Sequence, residues 1–321
     1  MLPAFAYLRA RSIEEAVEAL ATPGAHLHAG GTDLLGCLRD RVFDADSLVS
    51  ISRVPGLDAI RATPDGGLAL GALATLAEIA AHPLVAERAP GLAEAAASAA
   101  SPQLREQGTL GGNLCQRPRC WYFRGEFHCA KKGGDTCFAW GGENRYHAIF
   151  GGGPCFIVHP SDTAPMLVAL EAAIHTLGPR GERAIPAGDF FRPPSEEVTR
   201  ETALAPGEIV TEVVVPAAPG WRSSYRKVRE RGAWDFALTS VALAVRLEGR
   251  KVAASRVVLG GVAPIPWRSA PAERALAGAE LSPELARAAG EAAAEGAEPL
   301  EQNGYKVALV RGAVAASVAA L

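Results

Sequence analysis

Four cysteines, Cys120, Cys129, Cys137 and Cys155, fall within 36 residues, while the other 285 residues contain only Cys37 and Cys115. Thiolates are soft ligands, and four on one short stretch suit an iron–sulfur centre or zinc rather than a hard cation. From Cys120 the spacing is C-x8-C-x7-C-x17-C. Structural zinc usually draws on closely spaced cysteine pairs, which these four lack. Ligation by four cysteines is the norm for a [4Fe–4S] cluster. Iron–sulfur, zinc and a metal-free loop all remain open on spacing alone. Cys115 is a fifth candidate, and His128 is a residue that could replace a thiolate. Arg124, Lys131 and Lys132 would offset the negative charge of a cluster and raise its potential. The run Trp121, Tyr122, Phe123 follows the first cysteine and would shield a centre from water or pack on a partner. Cys37, in the apolar context LLGCLRD, reads as an ordinary core cysteine.

Two glycine-rich signatures flank this chemistry. His28-Ala29-Gly30-Gly31-Thr32-Asp33-Leu34 places paired glycines after a short strand ending near Leu27. Glycine lets backbone N–H groups approach a ligand and point the same way, forming an anion-binding concavity suited to a diphosphate. A plain strand-to-helix turn is the competing reading. Thr109-Leu110-Gly111-Gly112-Asn113 repeats the pattern as a second turn, and His159-Pro160-Ser161-Asp162 adds a hydroxyl and a carboxylate. Each segment is a weak signal alone, and together the three would suit a long phosphorylated cofactor. Neither G-x-G-x-x-G nor G-x-x-x-x-G-K-[ST] occurs, so a Rossmann site and a P-loop are excluded.

These residues need elements to position them. Ser12–Glu15 reads as a capping box opening a helix, AHLH as a strand, LLGCLRDR as a helix and Leu48–Ser52 as a buried strand. Gly67–Thr75 alternates like a strand, and Thr75–Glu78 is a second capping box. An alanine-rich helix follows from Pro90 to Ala100. From Gln107 to Gly153 the chain is polar, with 11 glycines, and reads as a long functional loop. DTAPMLVALEAAIHTLG returns to a helix and a strand, and Val210–Val215 is a further strand. RSSYRKVRER, TSVALAVRLEG and KVAASRVVLGGVA read as an antiparallel meander, with helices at 271–277, 283–295 and 304–320.

The chain of 321 residues is long enough for two or three domains, with a net charge of -3 that does not favour nucleic acid or an anionic membrane. No long uncharged apolar run suggests a membrane span. The N-terminus reads as mature protein, so a cytoplasmic location is expected, with co-export to the periplasm on a partner's signal as the alternative. A disulfide framework is not expected in a chain with a core of its own.

AGGTDLL, TLGGN, HPSD, the YRKVRER strand and NGYKVALVRGAV, in that order, resemble the FAD-binding medium subunits of the molybdenum hydroxylases. That family includes xanthine dehydrogenase, carbon monoxide dehydrogenase and aldehyde oxidoreductases. The resemblance implies an α+β protein of the vanillyl-alcohol-oxidase type. Two α/β subdomains, 1–54 and 55–216, would clasp FAD, and a domain at 217–321 with a three-stranded antiparallel sheet and helices would close over it. It implies that Leu27, His28, Ala29, Gly30, Gly31, Thr32, Asp33 and Leu34 line the diphosphate, and that Thr109, Gly111, Gly112 and Asn113 contact the ribityl–diphosphate region. Asp162, with Ser161 nearby, would hydrogen-bond the cofactor, and Val210 and Lys227 would sit by the flavin ring, with Arg226 an adjacent candidate.

Most such subunits join TLGGN to the acidic motif by a short turn. Here residues 114–158 intervene, 45 in all. This insertion is similar to those of 4-hydroxybenzoyl-CoA reductase and the periplasmic aldehyde oxidoreductase, which carry a [4Fe–4S] cluster. The resemblance assigns Cys120, Cys129, Cys137 and Cys155 to it and leaves Cys115 outside. A large molybdopterin subunit, a small [2Fe–2S] subunit and an outside electron acceptor are the implied partners. No general base or nucleophile is expected in this chain. An assembly subunit with decayed cofactor sites and a zinc-loop scaffold are the alternative readings.

Overall fold

The computed structural model describes residues 2–321. Three sheets follow one another along the chain. The first is parallel, with β1 (Ala6–Arg9), β2 (Ala25–His28) and β3 (Ser47–Ser50) in the order β1-β3-β2. Leu8 and Leu27 both stand opposite Val49. Strand β1 was not expected: all four of its residues are exposed, so it carries no hydrophobic period and exists through pairing with β3. The helix Ile13–Ala19 starts at Ser12, whose hydroxyl accepts from the Glu15 N–H at 3.2 Å. Glu15 reaches the Arg11 N–H instead of that of Ser12, so only half of this capping box forms. The box at Thr75 and Glu78 is complete.

The second sheet is antiparallel: β4 (Ile60–Ala62), β5 (Leu68–Gly71), β6 (Ala173–Gly178), β7 (Gly181–Pro186) and β8 (Ile209–Val215), in the order β4-β5-β8-β6-β7. Its core joins Leu68, Leu70, Ile79, Leu92 and Leu167 to Tyr225, Ala242 and Val258 of the third sheet.

That third sheet holds β9 (Trp221–Val228), β10 (Thr239–Glu248), β11 (Lys251–Gly260) and β12 (Trp267–Arg268), in the order β12-β11-β10-β9. It therefore has four strands rather than the three expected. The two residues of β12 are too few to show a period, and they join only because Trp267 pairs with Leu259. Strand β10 is buried on both faces: Ala242 and Ala244 belong to the second sheet's core, Val241, Leu243 and Val245 to the core under the C-terminal helices. Its near-continuous apolar run follows from that double burial. Helices Ala270–Leu276, Pro283–Ala293 and Tyr305–Val318 cover the outer face.

The segment read as a polar loop is packed. It contains short helices at Leu110–Leu114 and Trp121–Arg124 and a 3-10 turn at Ala130–Lys132. Phe123, Ala139, Ile149 and Phe150 are each 1% exposed. The Ile149 N–H donates to the Val262 carbonyl at 2.8 Å, and the Phe150 ring stacks on Trp267 at 5.2 Å. Among the described residues no helix is long and apolar enough to cross a membrane.

Candidate cofactor clefts and cysteine pocket

The turn after β2 opens onto a cleft of about 430 Å³, with Gly30, Gly31, Thr32 and Asp33 on one side and Thr109, Gly111 and Gly112 on the other. Gly31 has φ +71°, a region that suits glycine. A Cβ at Gly30 would stand 1.8 Å from the Gln107 carbonyl oxygen. This glycine is thus required by contact with the protein's own backbone, and that contact draws the two signatures together. Among the described residues the N–H groups of Gly30, Gly31, Thr32 and Asp33 meet no backbone acceptor. Such a cluster of free donors suits a diphosphate.

The second signature differs from expectation. Thr109, Gly111 and Gly112 form no turn: Thr109 caps the helix Leu110–Leu114, its hydroxyl accepting from the Gly112 N–H at 3.2 Å. Leu110 and Gly111 donate to the Ala74 and Ala72 carbonyls. With these donors engaged, TLGGN supplies a smooth wall rather than a second nest. A Cβ at Gly111 would come within 3.1 Å of the Ala72 Cβ, so the glycine also serves close packing.

Leu27, Ala29, Leu34 and Val210 line the same cleft. His28 does not; its ring meets the edge of Tyr7 at 6.1 Å. His26 lines it instead, stacked on Phe43 at 4.8 Å, and no sequence signal distinguished the two histidines. Cys115 also lies here, its thiol pushed up to about 12 by burial and by the nearby charge of Glu201, as an inert core thiol would be.

A second cleft, of about 490 Å³, is lined by Ser161, Asp162, Arg119, Trp121, His147 and Phe236 among others. Asn113 lines neither cleft: its side-chain oxygen accepts from Ser161 at 2.5 Å and from Thr163 at 2.7 Å, tying TLGGN to the acidic motif. Lys227 is not beside the first cleft with Val210. Its Nζ pairs with Asp162 at 2.7 Å, with both side chains almost fully buried, and also reaches the Ser98 carbonyl. The Tyr225 hydroxyl donates to the other Asp162 oxygen at 2.8 Å. Lys227 therefore orients Asp162, while Arg226 turns outward towards Ala316. Burial pushes His159, another residue of this cleft, down to about 3 and leaves its ring neutral.

Asp33 stitches the glycine turn to the inserted segment. Its carboxylate accepts from the Arg117 N–H at 2.7 Å and from the guanidinium groups of Arg119 at 2.6 Å and Arg124 at 2.7 Å. It caps no helix, because these donors hold it.

Cys120, Cys129, Cys137 and Cys155 line one pocket together with Tyr122, Phe123, Phe138 and Ile157. Cys137 and Cys155 influence each other's thiols, that of Cys137 being drawn down and that of Cys155 driven up. Burial raises Cys120 to about 11. Cys37 packs with Val42, Phe123 and Cys129 in a small apolar cluster behind the pocket, its own thiol also raised by burial to about 11.

Of the three cations expected near the thiols, only Lys131 lines the pocket, paired with Glu201 at 2.9 Å. Lys132 donates to the Gly125 carbonyl, and Arg124 is held by Asp33. The imidazole beside the thiols is His147, not His128. Its Nε2 lies 3.2 Å from Cys120 Sγ, and burial, reinforced by the charge of Lys306, lowers its pKa to about 4. Nothing in the sequence marked His147, because chain folding alone brings it across 27 residues. The aromatic run divides: Phe123 seals the pocket, Tyr122 stacks on Phe138, and Trp121 faces the second cleft.

A small parallel sheet beside an antiparallel one, with a glycine turn opening on a cleft, makes a protein of mixed α and β structure suited to a phosphorylated cofactor. The chain belongs to the family of the FAD-binding domain in molybdopterin dehydrogenase, whose model matches residues 3–218, and residues 223–319 match the CO dehydrogenase flavoprotein C-terminal domain. It is 38% identical to the aldehyde oxidoreductase FAD-binding subunit PaoB of Escherichia coli K12, over 99% of this chain and 98% of that one. It is 31% identical to the carbon monoxide dehydrogenase medium chain of Hydrogenophaga pseudoflava, over 93% and 89%. A chain in a solved structure of that organism's carbon monoxide dehydrogenase superposes with a TM-score of 0.78 at 30% identity, covering 98% of this chain and 96% of that one. The chain is thus an oxidoreductase flavoprotein, a medium subunit of the kind found in multi-subunit molybdenum hydroxylases.

Proposed function

We propose that this chain carries FAD and a [4Fe–4S] cluster in an aldehyde oxidoreductase-like molybdenum hydroxylase, and passes electrons from its partners to an outside acceptor. The partners would be a large subunit with molybdopterin and a small subunit with [2Fe–2S] clusters. The observation that carries the cluster is the convergence of Cys120, Cys129, Cys137 and Cys155 on one pocket. Among the described residues no three Cys, His, Asp or Glu side chains converge as a single-ion site does. A single zinc ion would need those sulfurs about 2.3 Å from one point.

Gly30, Gly31, Thr32 and Asp33 would hold the FAD diphosphate through their N–H groups, with Gly111 and Gly112 as the opposing wall. Asp162, oriented by Lys227 and Tyr225, would accept a hydrogen bond further along the cofactor. Bound FAD supplies two-electron chemistry with release of electrons singly or in pairs. The protein's part is to position it, to exclude water with Trp121 and Phe236, and to keep the thiols in a separate dry pocket.

Anoxic purification, followed by iron, sulfide and flavin analysis and paramagnetic resonance after dithionite reduction, tests this reading. FAD, iron and sulfide should copurify, and Cys137→Ser should abolish the cluster signal while flavin absorbance persists. A yellow but iron-free protein that also resists reconstitution would remove the cluster. A colourless one would remove both cofactors.

A further inference from the structure

Cys120 and His147 are the two residues that line both the cysteine pocket and the second cofactor cleft, so together they form the wall between them. The His147 Nε2 stands 3.2 Å from Cys120 Sγ, and the residue is 4% exposed. Its other nitrogen, Nδ1, is buried without a partner. A metal-bound thiolate has no proton to give, so Nε2 can meet it only as an N–H donor, which leaves Nδ1 as the unprotonated nitrogen.

The ring is held in place. Trp121 meets it edge-on at 5.7 Å. On the main chain, the His147 N–H donates to the Asn144 carbonyl at 2.9 Å, and Asn303 donates to the His147 carbonyl at 3.1 Å. Of the other polar side chains at the pocket, Lys131 is paired at 2.9 Å with Glu201, which offsets its charge, and the Tyr122 hydroxyl accepts from the Glu143 N–H at 2.6 Å. His147 is therefore a side-chain donor placed beside a candidate ligand.

We propose that His147 is a positioning residue that donates through Nε2–H to the Cys120 sulfur and raises the reduction potential of the cluster. A hydrogen bond to a ligand sulfur withdraws electron density and favours the more negative, reduced state. In a buried pocket of low dielectric the effect is strengthened. This inference rests on the reading of the four cysteines as cluster ligands.

The test is a redox titration followed by paramagnetic resonance on the assembled complex, comparing wild type, His147→Leu and His147→Gln. At the potential where the wild-type cluster is half reduced, His147→Leu should lower the reduced-to-oxidised ratio by about tenfold, equivalent to about 59 mV for one electron. His147→Gln, which keeps an N–H donor, should show a smaller drop. In wild type labelled with 15N-histidine, pulsed resonance of the reduced cluster should detect the imidazole nitrogen. An assembled cluster with unchanged potential in His147→Leu, or without the 15N coupling in wild type, overturns the role of His147 and leaves the proposed function standing. Should His147→Leu lose its iron, the 15N measurement on wild type decides alone. Absence of iron from wild type overturns the cluster reading itself.

Discussion

At the first cleft the atoms that face a ligand are backbone, and regular elements place them: β2 delivers Gly30 to Asp33, and the helix Leu110–Leu114 presents the wall opposite. In the cysteine pocket the facing atoms are side-chain sulfurs, and only two short helical turns contribute. That pocket is held by polar ties to distant parts of the chain. Asp33 takes Arg119 and Arg124, Glu201 takes Arg117 and Lys131, and the backbone N–H of Gln302 donates to Asn144 at 2.9 Å. Local backbone geometry makes the cradle, and long-range charge makes the pocket. The two should therefore fail separately.

Glu201→Ala should have the largest effect. It leaves Lys131, with a side chain 2% exposed, and Arg117 without their shared counter-ion. Breaking such a buried pair costs about 3–5 kcal/mol. Denaturant titration should show that loss, and the iron-to-flavin ratio should fall. Equal loss of iron and flavin would erase the distinction between the two sites. Gly30→Ala attacks the cradle instead: a methyl group driven towards the Gln107 carbonyl should cost about 2–3 kcal/mol and weaken flavin retention while iron remains. Loss of iron from this variant would show that the turn also supports the pocket through Asp33.

Glu208→Gln sharpens the comparison by pH. Burial alone would raise this carboxyl, yet Arg183, Thr176 and the Ala205 N–H hold it at about 2, against an ordinary value of 4.5. A depressed carboxylate contributes stability that is fully present above its ordinary value and lost as pH falls through its folded value. Because Arg183 is partly exposed, that contribution is about 1–2 kcal/mol. Thermal melts should show the variant less stable than wild type near neutrality and level with it near pH 2. A difference that persists at pH 2 would mean that Glu208 acts through packing rather than charge.

Much of the fold was legible because burial leaves a period: the apolar run of β10, the capped helix at Thr75 and the three C-terminal helices stand within a few residues of expectation. Strands β1 and β12 were not, since one is exposed throughout and the other is two residues long. At the site, the four cysteines and the first glycine turn could be read from residue type and spacing. The engagement of the TLGGN donors could not, because they are satisfied by Ala72, Ala74 and the segment's own threonine, contacts that exist only after folding. Lys227 was read as a neighbour of the flavin ring, and its burial against Asp162 depends on how β9 meets the helix after the acidic motif.

By itself the amino-acid sequence determined which groups are available: a glycine turn, four clustered thiols and an acidic motif, each set by residue type along the chain. Tertiary structure decided which of them meet. It joined Asp33 to the inserted segment, spread that segment's remaining charges between a pocket and solvent, and brought His147 to Cys120. Such pairings are settled by the burial of charge and the closing of long loops, and neither leaves a local mark on the chain.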